Sequence, residues 1–205
     1  MASNYDNSAF FYDELSRLVF GEALVKAQTY FLPHIPPNCS LLVIGGGTGW
    51  ILEEIAKVHS SGLKISYVEI SSKMMALSRR RNAGGNKISF INQAVEDVKF
   101  DTQFDVVITP FLFDNYPDDK LEGLILHIHR MLKPEGIWLN TDFQLTGKWW
   151  QFALMKTMVL FFKILCGVES WRLPNVDTHF QKLGYQPTSN KSFFYDFIVT
   201  RVYRK

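Results

Sequence analysis

Gly45, Gly47 and Gly49 alternate with Gly46 and Thr48 directly after the apolar run Leu41–Ile44, and Glu69 ends a second apolar run, Tyr67-Val68, about twenty residues on. Glycines adopt φ > 0 without a Cβ penalty and let the backbone come close to a ligand. A carboxylate at the next strand end can accept two hydrogen bonds from the vicinal hydroxyls of a ribose. Loop and acid together describe a nucleotide-type site at the first strand–helix turn of an α/β sheet. The spacing is G-x-G-x-G. Trp50 stands where a dinucleotide fingerprint has its third glycine, at the helix N-terminus that a pyrophosphate requires bare.

Other residues are candidates by position. Met74 follows Glu69 closely enough for its adaptable thioether to touch the ligand, or it is helix core. Thr109, Pro110 and Phe111 end a further apolar run, and an aromatic face there would favour a cationic ligand group, or Phe111 is plain core. Asp114 and Asp142 are weak candidates for a proton acceptor, and Asn115 and Tyr116 for orienting a substrate. His127 and His129, two apart on one helix, point in different directions, so no shared metal is expected; His34, His59 and His179 are isolated.

The elements that must position these residues read as short apolar strands alternating with helices. Strands are expected at 40–44, 64–69, 87–91, 104–109 and 137–141, with Asp105 at the start of the fourth. Helices are expected at 50–59, from Ser71 or Ser72 through Arg81, at 118–132 and at 175–183, with one or two more over 8–31 that end before Pro33, Pro36 and Pro37. Alternation of this kind predicts a doubly wound α/β fold, a mostly parallel sheet covered on both faces with its ligand crevice at the carboxyl ends of the strands.

At 205 residues the chain suits one domain with a full core, and 47% hydrophobic with 20% charged residues marks a folded globular protein. A net charge of +2 and the lack of a basic patch argue against a nucleic-acid partner. Cys39 and Cys166, far apart, point to a reducing compartment and away from a disulfide or zinc framework. The segment 1–7 lacks a basic and apolar leader pattern, so a cytoplasmic location is expected. Seventeen phenylalanines fit an aromatic-rich core or an apolar pocket.

Five segments, in order, resemble the class I S-adenosylmethionine-dependent methyltransferases across roughly residues 5–204. They are Val43-Ile44-Gly45-Gly46-Gly47-Thr48-Gly49, Glu69-Ile70-Ser71-Ser72-Lys73-Met74, Phe90–Asp97, Phe104–Phe111 and Leu132-Lys133-Pro134-Glu135-Gly136. The resemblance implies a seven-stranded Rossmann-like sheet ending in an antiparallel β-hairpin, matched here by Phe193–Tyr203. It implies S-adenosylmethionine as cofactor and S-adenosylhomocysteine as product. The cofactor has no phosphate, so Trp50 excludes nothing it needs. By the same resemblance Gly45–Gly49 cradle it, Glu69 with Ile70 holds the ribose, Ala94, Val95 and Glu96 border the adenine, Thr109–Phe111 face the reacting centre, and an N-terminal helix with Tyr5 and Tyr12 caps the site. The chain departs from the family at Val43 and Ala94, where an acid is usual; Gln93, Glu96 or the Val95 backbone would serve the adenine instead.

The implied organisation is a cap over 1–37, a cofactor-binding core over 38–143, an apolar insert or lid over 144–174, and a helix and hairpin over 175–205. In the insert, Gln151, Lys156, Thr157 and Lys163 interrupt the apolar run 148–166 and argue against a membrane span. A lid, a dimer contact and a membrane-facing surface with Trp149 and Trp150 as anchors stay open. The expected activity is methyl transfer to a small, apolar or aromatic molecule by a monomer or homodimer, without metal. Two alternatives stay open: a cofactor-binding protein without turnover, and an NAD-type oxidoreductase, for which neither a third glycine nor a Tyr-x-x-x-Lys dyad is found. Thr109-Pro110-Phe111-Leu112 is not the Asn/Asp-Pro-Pro-Tyr motif associated with methylation of exposed amines.

Overall fold

The computed structural model describes residues 6, 12–166 and 173–205. Helices α1 (Tyr12–Phe20) and α2 (Ala23–Thr29) precede strand β1 (Ser40–Ile44), helix α3 (Trp50–Val58), β2 (Ser61–Val68), α4 (Ser72–Ser78) and β3 (Gly85–Ile91). Then come β4 (Phe104–Pro110), α5 (Asp118–Met131), β5 (Leu132–Phe143), α6 (Trp149–Cys166), α7 (Val176–Lys182), β6 (Pro187–Phe193) and β7 (Ile198–Arg204). The seven strands form one sheet in the order β3-β2-β1-β4-β5-β7-β6, with β1–β5 parallel and β7 antiparallel to both neighbours.

Alternation within β1 shows how the sheet is covered on both sides. Leu42 and Ile44 join Trp138 and the α5 residues Leu121, Ile125 and Ile128 in one core, while Leu41 and Val43 join Ile51, Leu52 and Ile55 of α3 in the other. A third cluster joins Phe20 of α1, Leu24 and Ala27 of α2 and Met155 of α6 to Phe197 and Ile198 at the hairpin turn. It draws the N-terminal helices and α6 together beside the carboxyl end of β5.

Strand order in the middle of the sheet is locked by Asp105. Its carboxylate accepts from the Ser40 amide (2.8 Å) and hydroxyl (2.6 Å) and from Lys133 Nζ (2.7 Å), tying β4 to β1 and to the start of β5. Partial burial works against its charge, but these bonds prevail and hold its pKa down at about 2.

Some boundaries differ from the sequence reading. The stop at Lys133–Gly136 is not a separate loop: Leu132 already pairs with Phe104, the register then shifts, and Glu135 at φ 61° turns the chain within β5. The hairpin expected over Phe193–Tyr203 is present, with different bounds. Phe194, Tyr195 and Asp196 all have positive φ and form the hairpin turn, and its first strand begins earlier, at Pro187. Contacts of the Phe194 ring with Phe20 (5.1 Å) and Trp150 (6.1 Å) fix a turn that its aromatic composition disguises. Helix α4 stops at Ser78, short of Arg81, and Ser71 is its cap, accepting from the Met74 amide at 3.1 Å.

Candidate functional site

The glycine loop follows β1 and is tied to β2 by a hydrogen bond from the Gly45 amide to the Val68 carbonyl (2.9 Å). Gly45, Gly47 and Gly49 all have positive φ. Gly46 is required for a different reason: a Cβ there would lie 2.4 Å from the ring of Tyr67. Tyr67 is wholly buried beneath the loop and donates its hydroxyl to the Gly47 carbonyl (2.9 Å).

Glu69 follows β2 and bends back under the loop. One carboxylate oxygen accepts from the Gly47 amide (3.0 Å), the other from the Ser71 amide (2.8 Å). Burial pushes its pKa up, and these amide bonds oppose that rise. Asn92 Nδ2 donates to the carbonyls of Glu69 (2.8 Å) and Ile70 (3.0 Å), fixing the turn.

These groups open onto a cavity of about 320 Å³ at the carboxyl ends of the strands. Of the residues singled out in the sequence, Gly45–Thr48, Trp50, Glu69, Ile70, Met74, Gln93, Ala94, Val95, Pro110, Phe111, Asp114, Asn115 and Tyr116 line it. Four others do not. Gly49 packs against α4, where an added Cβ would lie 2.5 Å from that of Ser78. Thr109 is core: its hydroxyl donates to Asn140 (2.9 Å) and accepts from Trp138 Nε1 (2.9 Å). Glu96 stays outside the lining and engages Tyr116, whose hydroxyl is pushed up by burial and by that carboxylate. Asp142 is 2% exposed, behind the cavity wall. Tyr5 and the side chain of Tyr12 lie outside the described residues. Val43 is fully buried in the core and cannot reach the cavity.

The structure adds residues that the sequence did not single out by number, those of α6 lying in the segment expected as an insert or lid. Asp13 of α1 reaches the glycine loop, accepting from Thr48 Oγ1 (2.8 and 3.0 Å) and from Arg81 (3.2 Å). Arg81 also donates to the Thr48 carbonyl (3.1 Å), so α1 is clamped over the loop. Asp6 reaches the far side of the site, accepting from Ser71 Oγ (2.6 Å) and the Lys73 amide (3.1 Å). Leu154, Met155 and Met158 of α6 give the cavity an apolar wall, and Phe143 packs on Phe111 with ring centroids 4.8 Å apart. None of these belongs to a short motif; long-range packing brings them together.

Phe111 has φ 49°, a left-handed conformation unusual for a bulky residue. Its amide donates to the Thr141 carbonyl (2.7 Å), and its carbonyl accepts from Asn115 (3.0 Å), which also donates to Asp114 (2.8 Å). Burial pushes the Asp114 carboxyl well up, and the charge of Asp142 adds to the rise. Asp142 is pushed up to about 7 by burial; one oxygen accepts from the Phe143 amide (3.0 Å), while the other is buried without a hydrogen-bond partner. Burial thus holds both carboxyls toward their protonated forms. Among the described residues no cluster of three or more His, Cys, Asp or Glu is arranged to hold a metal.

A family model described as a methyltransferase domain matches residues 41–136, the stretch from β1 to the first residues of β5. The chain is 30% identical over 130 residues to the ubiquinone/menaquinone biosynthesis C-methyltransferase UbiE of Geotalea daltonii, covering 62% of this chain and 53% of that protein. It is 23% identical over 130 residues to the non-reducing polyketide synthase ausA of Aspergillus calidoustus, covering 55% of this chain and 5% of that one. The chain thus spans about half the length of the first and a small part of the second. Among solved structures, DhpI in complex with SAH has the same fold, with a TM-score of 0.71 at 16% identity over 98% of this chain and 92% of that one.

Proposed function

From the premise that this chain belongs to the class I S-adenosylmethionine-dependent methyltransferases, we propose that it transfers a methyl group to a small, apolar or aromatic acceptor held under α6. The observation that carries the reading is the buried Glu69 carboxylate beside the glycine loop in a cavity whose other walls are largely apolar. The residues present fit the cofactor. Glu69 offers carboxylate oxygens to ribose hydroxyls, Ala94 and Val95 with Ile70 and Met74 offer an apolar slot for the adenine, and the loop offers backbone without side chains. Val43 leaves the amino-acid end of the cofactor without the family's usual strand-end acid. Asp13 and Gln28, both in the cavity lining, stand in for it.

S-adenosylmethionine, when bound, supplies an activated methyl on a cationic sulfur that becomes a neutral thioether on transfer. The chain's own residues align and shield. Phe111 and Phe143 present ring faces favourable to a cation, worth about 0.5–2 kcal/mol. Leu154, Met155 and Met158 exclude water, which favours a displacement in which charge disappears. Holding the two reactants in line is the larger contribution. Asp114 also lines the cavity, and its carboxyl, held toward the protonated form by burial, can donate a hydrogen bond to an acceptor's oxygen or nitrogen, with Asp142 buried behind the wall.

Calorimetric titration with S-adenosylhomocysteine, with NAD as control, tests the reading. Micromolar binding of the first and none of the second is expected. Absence of S-adenosylhomocysteine binding by folded protein overturns the proposal, and binding without turnover across acceptor panels points to a binding protein instead.

A further inference from the structure

Helix α6 breaks the usual rule for a surface helix. Its inward side, with Leu154, Met155 and Met158, walls the cavity. Its outward stripe should then be polar. Instead Trp149 (80% exposed), Phe152 (46%) and Leu160 (54%) recur at helical spacing with Lys156 among them. On α1, which walls the same cavity, Leu18 is 83% exposed, next to the exposed Arg17. Val19 of α1 and Phe161 of α6 are each 37% exposed and also line the cavity, so its mouth opens through this apolar face.

Charge selects among occupants. The only charged residues of α6 are Lys156 and Lys163, and the helix carries no carboxylate, while Lys148 just before it pairs with Asp196 (3.0 Å). On α1, Glu14 and Arg17 offset one another. A second copy packed about a two-fold axis would set this cationic stripe against its own lysines. A surface of anionic headgroups over an acyl layer complements both the lysines and the exposed rings. No described helix is long and apolar enough to cross a membrane, so the contact is one of lying on the surface.

We propose that the α1–α6 face docks on an anionic bilayer, with Leu18, Trp149, Phe152 and Leu160 entering the headgroup–acyl boundary. Lys156 binds the headgroups. A lipophilic acceptor passes from the bilayer into the cavity between Val19 and Phe161; this last step rests on the methyltransferase reading, whereas docking does not.

The test is co-sedimentation of the full chain with phosphatidylcholine vesicles containing roughly one-third phosphatidylglycerol, against phosphatidylcholine alone. Binding should favour the anionic vesicles and weaken with salt. Lys156→Glu should weaken it by at least about tenfold. Phe152→Ser with Leu160→Ser, surface changes outside the cavity lining, should abolish it while S-adenosylhomocysteine titration stays unchanged. Failure to bind anionic vesicles at low salt overturns docking, as does a dimer in solution that the same double variant dissociates. Loss of S-adenosylhomocysteine binding with vesicle binding intact would instead overturn the cofactor reading.

Discussion

At the scale of single residues, Glu69 does two things at once. It accepts from the Gly47 and Ser71 amides, and it lines the cavity. A hydrogen bond to a charged group is worth about 1.5–3 kcal/mol. Glu69→Ala should therefore weaken S-adenosylhomocysteine binding by at least about tenfold, read by calorimetry. Unchanged affinity would remove Glu69 from the site. Gly46 serves the same loop from beneath, because Tyr67 leaves no space for a Cβ. Gly46→Ala should lower thermal stability and affinity together, since the loop must move to admit a methyl. The glycine run and the spaced acid were legible in the sequence because both lie on consecutive backbone. Asp13 was not, since only the packing of α1 on the loop brings its carboxylate to Thr48 and Arg81.

Elements explain why one glycine of the run differs from the others. Gly49, at φ 81°, starts α3, and its bare Cα faces Ser78 of α4. It sets the distance between two helices rather than the shape of the cavity. Gly49→Ala should cost about 1–3 kcal/mol of stability in denaturant unfolding. Its loss of affinity should be smaller than that of Glu69→Ala; the reverse order would return Gly49 to the ligand. Hairpin boundaries illustrate the same limit of local reading. Phe194-Tyr195-Asp196 lies inside the tail expected as a hairpin without marking its turn, and contacts with Phe20 and Trp150 hold it there with three positive φ angles.

For the whole molecule, burial of carboxyls at one end of the sheet makes stability depend on pH. Asp142, raised to about 7, and Asp114 and Glu69, also raised by burial, all bind protons more tightly folded than unfolded. Between the unfolded value of 3.8 for an aspartate and about 7, the folded state therefore holds more protons, and stability falls as pH rises through that window. Urea midpoints should decline from pH 5 to pH 8. Asp142→Asn should flatten the decline, and an unaltered slope would show that Asp142 does not titrate there.

Strand and helix alternation, the parallel sheet and the glycine–acid pair followed from the sequence alone, while the antiparallel end was implied by the family resemblance. Each depends on neighbours within a few residues, through strand periodicity, helix capping and the backbone freedom of glycine. Three things were decided only by the tertiary structure: the removal of Thr109, Gly49 and Asp142 from the cavity, the arrival of Asp13, and the placing of α6 as an apolar wall. The physical reason is that side-chain direction at a strand end depends on which elements pack behind it. That information lies in contacts between residues far apart in the chain, such as Thr109 with Asn140 or Phe20 with Phe194.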